Sequence, residues 1–170
     1  MNLVTISIII ATTIFVAYNA VTIAFFGIPK SLSMTYYLYK ENFNKGFLFP
    51  AMMYLVVAFM MPAWITMSEG SDFQFLAFLA PAAIAFVGTA PAFLSSNLEN
   101  KVHSIAALIA AACSLLWVIL VTPYWWIILA WVGIITALAF FTKSVKTSYI
   151  YWLERVAFES TFTAAIMYSI

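Results

Sequence analysis

Six apolar stretches of membrane-spanning length constrain this chain more than any other feature of its sequence. A helix needs about 20 apolar residues to cross the hydrocarbon core of a bilayer, which is about 30 Å thick. The stretches cover residues 3–27, 46–67, 73–94, 102–121, 123–141 and 148–170. They predict an all-α, polytopic integral membrane protein: a single domain of six transmembrane helices joined by short loops.

The composition agrees with residence in a lipid bilayer. Hydrophobic residues make up 66% of the chain and charged residues 8%, whereas soluble domains carry about 25% charged residues. The net charge of +1 and the lack of a basic run argue against nucleic-acid binding. Cys113 is the single cysteine, so no cysteine pair is available for an intramolecular disulfide or a CxxC redox motif.

The fourth and fifth stretches are separated only by Thr122 and Pro123. Read as one helix they would be about 60 Å long, twice the thickness of the hydrocarbon core. We therefore predict a tight hairpin at this point. Proline is favoured in the first turn of a helix, so we expect Pro123 to begin the fifth transmembrane helix.

The lysines predict the orientation of the chain in the membrane. All of them lie in the first, third and fifth loops: Lys30, Lys40, Lys45, Lys101, Lys143 and Lys146. The second and fourth loops and both terminal ends carry none. By the positive-inside rule the lysine-bearing loops are cytoplasmic and both termini lie outside. Short loops with this asymmetry are typical of a bacterial inner membrane protein.

Three charged residues in the last apolar stretch are the first candidates for a functional site. Glu154, Arg155 and Glu159 lie within six residues of one another, although each charge costs about 2.5–3.5 kcal/mol in a membrane helix. Arg155 and Glu159 are one turn apart and can pair, whereas Glu154 points about 100° away from Arg155. Glu154 is therefore left over, and Glu159 is expected near the middle of the bilayer.

Two interpretations of this cluster stay open. In the first, the charges form a structural network that fixes the helix register, with polar partners among Asn19, Thr89 and Ser114. In the second, Glu159 binds a small molecule, a proton or a cation in a cavity beside the third stretch, which Pro81 and Pro91 are expected to kink.

A metal site is a third and weaker hypothesis. His103 is the only histidine, and its candidate co-ligands are Glu99 in the same loop and Glu154. Hydrolysis by a bound metal ion would require these residues to converge, with one coordination position left open. No G-x-S-x-G, H-E-x-x-H or phosphate-binding glycine loop is present, and no motif indicates a cofactor.

The sequence thus leaves three classes of function. We expect foremost a small carrier or ligand-binding membrane protein with an intramembrane carboxylate. The alternatives are a structural or regulatory subunit, packed against a membrane-protein partner or a second copy of itself, and an intramembrane metal-dependent hydrolase.

Overall fold

The computed structural model describes residues 2–170, which form seven α-helices and no β-strand. The helices are α1 (Leu3–Phe26), α2 (Thr35–Phe43), α3 (Leu48–Met67), α4 (Leu76–Thr89), α5 (Asn97–Val121), α6 (Trp126–Phe141) and α7 (Tyr149–Ser169). The all-α prediction is confirmed. Helices α1, α3 and α5 are long and apolar enough to span a membrane, and α4 and α6 are shorter apolar helices.

The ends of α4 and α5 differ from the sequence prediction. Helix α4 ends at Thr89, five residues before the predicted limit, because Pro91 cannot donate a backbone hydrogen bond and disfavours helical geometry in the residue before it. Helix α5 begins at Asn97, five residues earlier than predicted. Its start is set by Ser96, whose side chain accepts the backbone N–H of Glu99 and so caps the helix.

One further expectation about local structure was wrong. Pro123 does not begin the fifth transmembrane helix, because α6 starts at Trp126 and Pro123 stays in the turn after α5. The first loop contains the short helix α2, formed by residues Thr35–Phe43. This helix returns over the end of α1, where Tyr18 bonds to Thr35 at 2.5 Å and Tyr39 bonds to Thr22 at 3.0 Å.

Helix α7 is the central element of the bundle. It packs against α1, α3, α5 and α6, and about half of its residues are buried. Helix α4 packs on the other side of the bundle, between α3 and α5. The charged segment of the chain therefore lies inside the bundle, while the outer faces of the helices present exposed leucine, isoleucine, valine and phenylalanine side chains.

Helices that follow one another in the chain alternate in direction, so the loops gather at two ends. Helices α5 and α7 run the same way, since the rings of Trp117 and Tyr168, near their carboxyl ends, have centroids 6.5 Å apart. At one end Tyr151 N–H donates to Lys30 O at 3.1 Å, and Tyr37 accepts the N–H of Leu94 at 2.8 Å. These bonds join the first and third loops and the start of α7, which is the end that carries the lysines. At the other end Asn2 donates to Ser169 O at 3.0 Å, which joins the two termini.

Gly88 lies at the contact between α4 and α3. Helices α4 and α5 do pair, but Gly88 faces α3: a Cβ at this position would lie 3.2 Å from Met53 Cβ and 3.6 Å from the ring of Tyr54. Glycine at residue 88 therefore allows α3, rather than α5, to approach α4 closely.

Candidate functional site

Arg155 and Glu159 form an ion pair one turn apart on α7. The pair faces into the bundle, since the two side chains are only 17% and 7% exposed. Arg155 also donates to the Tyr151 hydroxyl at 3.0 Å, and its guanidinium lies 5.7 Å from the centre of the Phe15 ring. The positive charge thus has a carboxylate, a hydroxyl and an aromatic face around it.

The network continues from α7 to α1 through Asn19. The Tyr151 hydroxyl donates to Asn19 Oδ1 at 3.2 Å, and Asn19 Nδ2 donates to Phe15 O at 2.9 Å. Asn19 is therefore joined to the charged cluster, through Tyr151 and not directly. The arrangement ties two buried helix faces together, as a register-fixing network would.

Glu154 has quite different surroundings. Its Oε2 accepts the backbone N–H of Leu32 at 2.7 Å, which connects α7 to the first loop across the bundle. Among residues 2–170 no lysine, arginine or histidine nitrogen lies within 4.0 Å of its carboxylate. The 100° separation of Glu154 from Arg155 thus places the two neighbouring charges in different environments.

The Glu154 carboxylate lines a cavity of about 60 Å³ between α3, α4, α5 and α7. Most of the wall is apolar and comes from Met53, Val56, Met60, Ile84, Val87, Ala107, Ala110, Ala111, Phe158 and Phe162. The few polar side chains on the wall are Glu154, Ser33, Ser114, Thr161 and Trp64. Since one water molecule needs roughly 10–15 Å³ of cavity volume, the cavity holds a group of only a few non-hydrogen atoms.

Trp64 adds an unused donor to this wall. Its indole Nε1 is buried and has no hydrogen-bond partner within residues 2–170. Trp117, whose ring centre lies 5.5 Å from that of Trp64, does have one, because its Nε1 donates to Ser68 at 2.7 Å. A buried donor without a partner is costly.

Ser33 and His103 meet at the edge of the same cavity. His103 Nε2 lies 2.6 Å from Ser33 Oγ, and Nδ1 lies 3.0 Å from the carbonyl oxygen of Ala90. The ring stacks on Phe93, with centroids 4.5 Å apart and planes 19° from parallel. Both ring nitrogens and one ring face are thus fixed by the protein.

The structure does not assemble the predicted metal ligands. Within residues 2–170 no three His, Cys, Asp or Glu side chains lie close enough to hold an ion. His103 is held by Ser33 and Ala90, and Glu99 accepts a hydrogen bond from Ser95 in the segment before α5. His103, Glu99 and Glu154 therefore do not form a common coordination site in this structure.

The remaining predicted polar residues lie apart from the ion pair. Thr89 bonds to the Tyr54 hydroxyl at 2.7 Å and to Ala85 O, on the α3 side of α4. Ser114 lines the cavity, and neither it nor Thr89 is hydrogen-bonded to Arg155 or Glu159 within residues 2–170. The cavity beside α4 is lined by Glu154 and not by Glu159, on which the prediction had placed the ligand.

Sequence reasoning overlooked the contribution of the first loop. Leu32 supplies the N–H that holds Glu154, and Ser33 supplies the hydroxyl that meets His103. These contacts join residues 122 and 70 positions apart in the chain. The sequence feature that could have indicated these contacts is the close spacing of Ser31, Ser33 and Thr35 in the first loop.

Comparison with protein-family models, with curated proteins and with solved structures finds no match for this chain. The functional argument accordingly depends on the site geometry described above.

Proposed function

We propose that the protein is a small carrier or ligand-binding protein of a membrane, and that Glu154 binds the cationic end of its ligand. One observation carries this proposal: Glu154 faces the cavity without a basic side chain within 4.0 Å among residues 2–170, although Glu159 on the same helix has Arg155. A carboxylate without a counter-ion in an apolar wall is a site for a cation that comes from elsewhere.

The cavity walls favour an amphiphilic amine as the ligand. Only a few atoms fit in about 60 Å³, which suits an ammonium group and the first carbons of an alkyl chain. Methionine, valine and phenylalanine side chains would contact those carbons, and Leu32 N–H holds the Glu154 carboxylate in place. A neutral molecule of the same shape would leave the carboxylate without a counter-ion.

We further propose that α1, α3, α4, α5, α6 and α7 all cross the bilayer, with both termini outside. The alternating direction of consecutive helices supports this topology, because it brings the three lysine-bearing loops to one end of the bundle and the acidic turn of Glu69 and Asp72 to the other. In a bacterial plasma membrane the Glu154 end of the cavity would then lie toward the cytoplasm.

Thermal unfolding of the purified protein in a nonionic detergent tests the ligand site. A ligand that binds only the folded state raises the midpoint of unfolding. We expect a short-chain alkylammonium to stabilise the wild type, and an alcohol of the same chain length to have no such effect. Glu154→Gln should abolish the stabilisation, because the amide has no charge.

Glu99→Gln is the matched control for this experiment. It removes one carboxylate from the same end of the bundle, outside the cavity wall, so the alkylammonium effect should persist. Equal stabilisation by the ammonium and the alcohol, or an undiminished ammonium effect in Glu154→Gln, would rule out the proposed site.

A further inference from the structure

Beyond ligand binding, we infer that Ser33 is a nucleophile activated by His103, and that the protein cleaves an ester bond presented in the cavity. The inference begins with proximity: Ser33 Oγ and His103 Nε2 are 2.6 Å apart, within the range expected of a nucleophile and its general base. Both residues are buried, at 3% and 5% exposure, and Ser33 lines the cavity.

The hydrogen bonds of His103 fix the tautomer that this reaction requires. The carbonyl oxygen of Ala90 can only accept, so the proton of a neutral imidazole must be on Nδ1. Nε2 is then unprotonated and accepts the hydrogen of the Ser33 hydroxyl. The histidine is thus oriented by a third group, as in serine hydrolases, with a backbone carbonyl in place of a carboxylate.

Packing holds the imidazole ring in this orientation. The ring stacks on Phe93, and α5 carries His103 while the turn after α4 supplies both Ala90 and Phe93. Ser33 sits in the turn that precedes α2. The nucleophile and its base are therefore held by three separate segments at one end of the bundle.

The first loop also offers a donor for the oxygen that becomes negatively charged. Within residues 2–170 the backbone N–H of Ser33 has no hydrogen-bond acceptor, whereas Leu32 N–H is engaged by Glu154. The nucleophile's own N–H is one of the two oxyanion donors in serine proteases. A free N–H at Ser33 therefore fits the same role.

The proposed reaction is an ordinary ester hydrolysis. Ser33 Oγ attacks the carbonyl carbon of the ester, and its proton moves to His103 Nε2. The bond between that carbon and the alcohol oxygen then breaks, and His103 returns the proton to the departing alcohol, which leaves an acyl group on Ser33. Water attacks the carbonyl carbon of this acyl group, and His103 takes a proton from the water. The bond between that carbon and Ser33 Oγ then breaks, and His103 returns the proton to Ser33 Oγ, so that the carboxylic acid and the free serine are released.

Apolar walls point to an ester of an amphiphilic molecule as the substrate class. Binding of a cationic group on that substrate rests on the function proposed above for Glu154. Hydrolysis at Ser33 does not rest on it. A neutral probe can therefore test the two proposals separately.

An alkyl fluorophosphonate tests the nucleophile directly. Its reaction forms a bond between Ser33 Oγ and phosphorus, expels fluoride and transfers the hydroxyl proton to His103. With the full chain purified in nonionic detergent, we expect mass spectrometry to find a single adduct on the peptide that contains Ser33. Ser33→Ala should lose this adduct, while Ser31→Ala, which alters a neighbouring serine outside the cavity wall, should keep it.

Variants of His103 and Glu99 complete the test. His103→Ala should slow labelling at least about 100-fold, in line with the usual contribution of a general base, and added imidazole should restore part of the rate. A purely structural hydrogen bond would not give this rescue. Glu99→Gln, which changes a carboxylate outside the cavity wall, should be labelled at the wild-type rate.

Two results would overturn the inference, provided that the wild type keeps its helical circular dichroism and its unfolding midpoint. One is the absence of an adduct on wild-type Ser33 under conditions that label a soluble serine hydrolase. The other is labelling of His103→Ala at the wild-type rate. Either result would leave the Ser33 contact as a tie between the first loop and α5.

Discussion

Glu159→Gln should destabilise the protein strongly, because it leaves Arg155 buried without its counter-ion. The guanidinium would keep the Tyr151 hydroxyl and the Phe15 ring, while its Nε already lacks a partner within residues 2–170. Removing one member of a buried ion pair costs about 3–5 kcal/mol. Residual exposure of Arg155 and its aromatic contact, which contributes about 0.5–2 kcal/mol, place the expected loss near the lower limit, at about 3 kcal/mol.

The free energy of unfolding can be measured by denaturant titration in mixed micelles. Arg155→Met combined with Glu159→Met serves as the decisive comparison, because it removes both charges while keeping a similar side-chain volume. We expect this double variant to recover most of the loss, since a buried ion pair is often replaceable by apolar residues at little cost. Glu154→Gln is the matched single-charge control and should lower the free energy of unfolding by less than about 1 kcal/mol.

Two outcomes would refute this reasoning. If Glu159→Gln is as stable as the wild type, the ion pair does not compensate for the burial of Arg155. If the double variant is no more stable than Glu159→Gln, the loss comes from disturbed packing rather than from an uncompensated charge.

Two further predictions concern the tryptophans and the membrane topology. Trp117→Phe should lower the free energy of unfolding by about 1–2 kcal/mol, because Ser68 loses a buried hydrogen bond. Trp64→Phe should lower it less, because Trp64 Nε1 has no hydrogen-bond partner within residues 2–170. Equal losses in the two variants would contradict this prediction. In a cysteine-free background, Glu69→Cys should react with a membrane-impermeant maleimide on intact cells and Lys143→Cys only after permeabilisation, and the reverse pattern would invert the proposed topology.

Most helix positions could be predicted from the lengths of the apolar stretches, and the departures have local causes. Pro91 ends α4 early, and Ser96 starts α5 early by capping it. Helix α2 could not be found in this way, since it has nine residues and no apolar period. It forms because Thr35 and Tyr39 are buried against the end of α1, a contact that depends on the tertiary structure.

Only the part of the candidate site that lies on a single helix could be predicted from the sequence. Helical geometry alone gave the pairing of Arg155 with Glu159 and the separate direction of Glu154. The partners on other elements could not be read from spacing, because Leu32 and Ser33 reach the cavity from the first loop and His103 reaches Ser33 from α5. Their juxtaposition depends on how α5, α7 and the first loop pack together.

If Glu154 binds a cation as proposed, the paired and the unpaired carboxylate on α7 would separate the stability of the fold from ligand binding. Glu159 has the compensation that a buried charge needs, so its loss should weaken the fold. Glu154 has one backbone N–H, and a hydrogen bond to a charged group contributes about 1.5–3 kcal/mol. Burying a charge in a membrane helix costs about 2.5–3.5 kcal/mol. The two amounts nearly cancel, so Glu154 adds little to the stability of the fold and its charge remains available to a ligand.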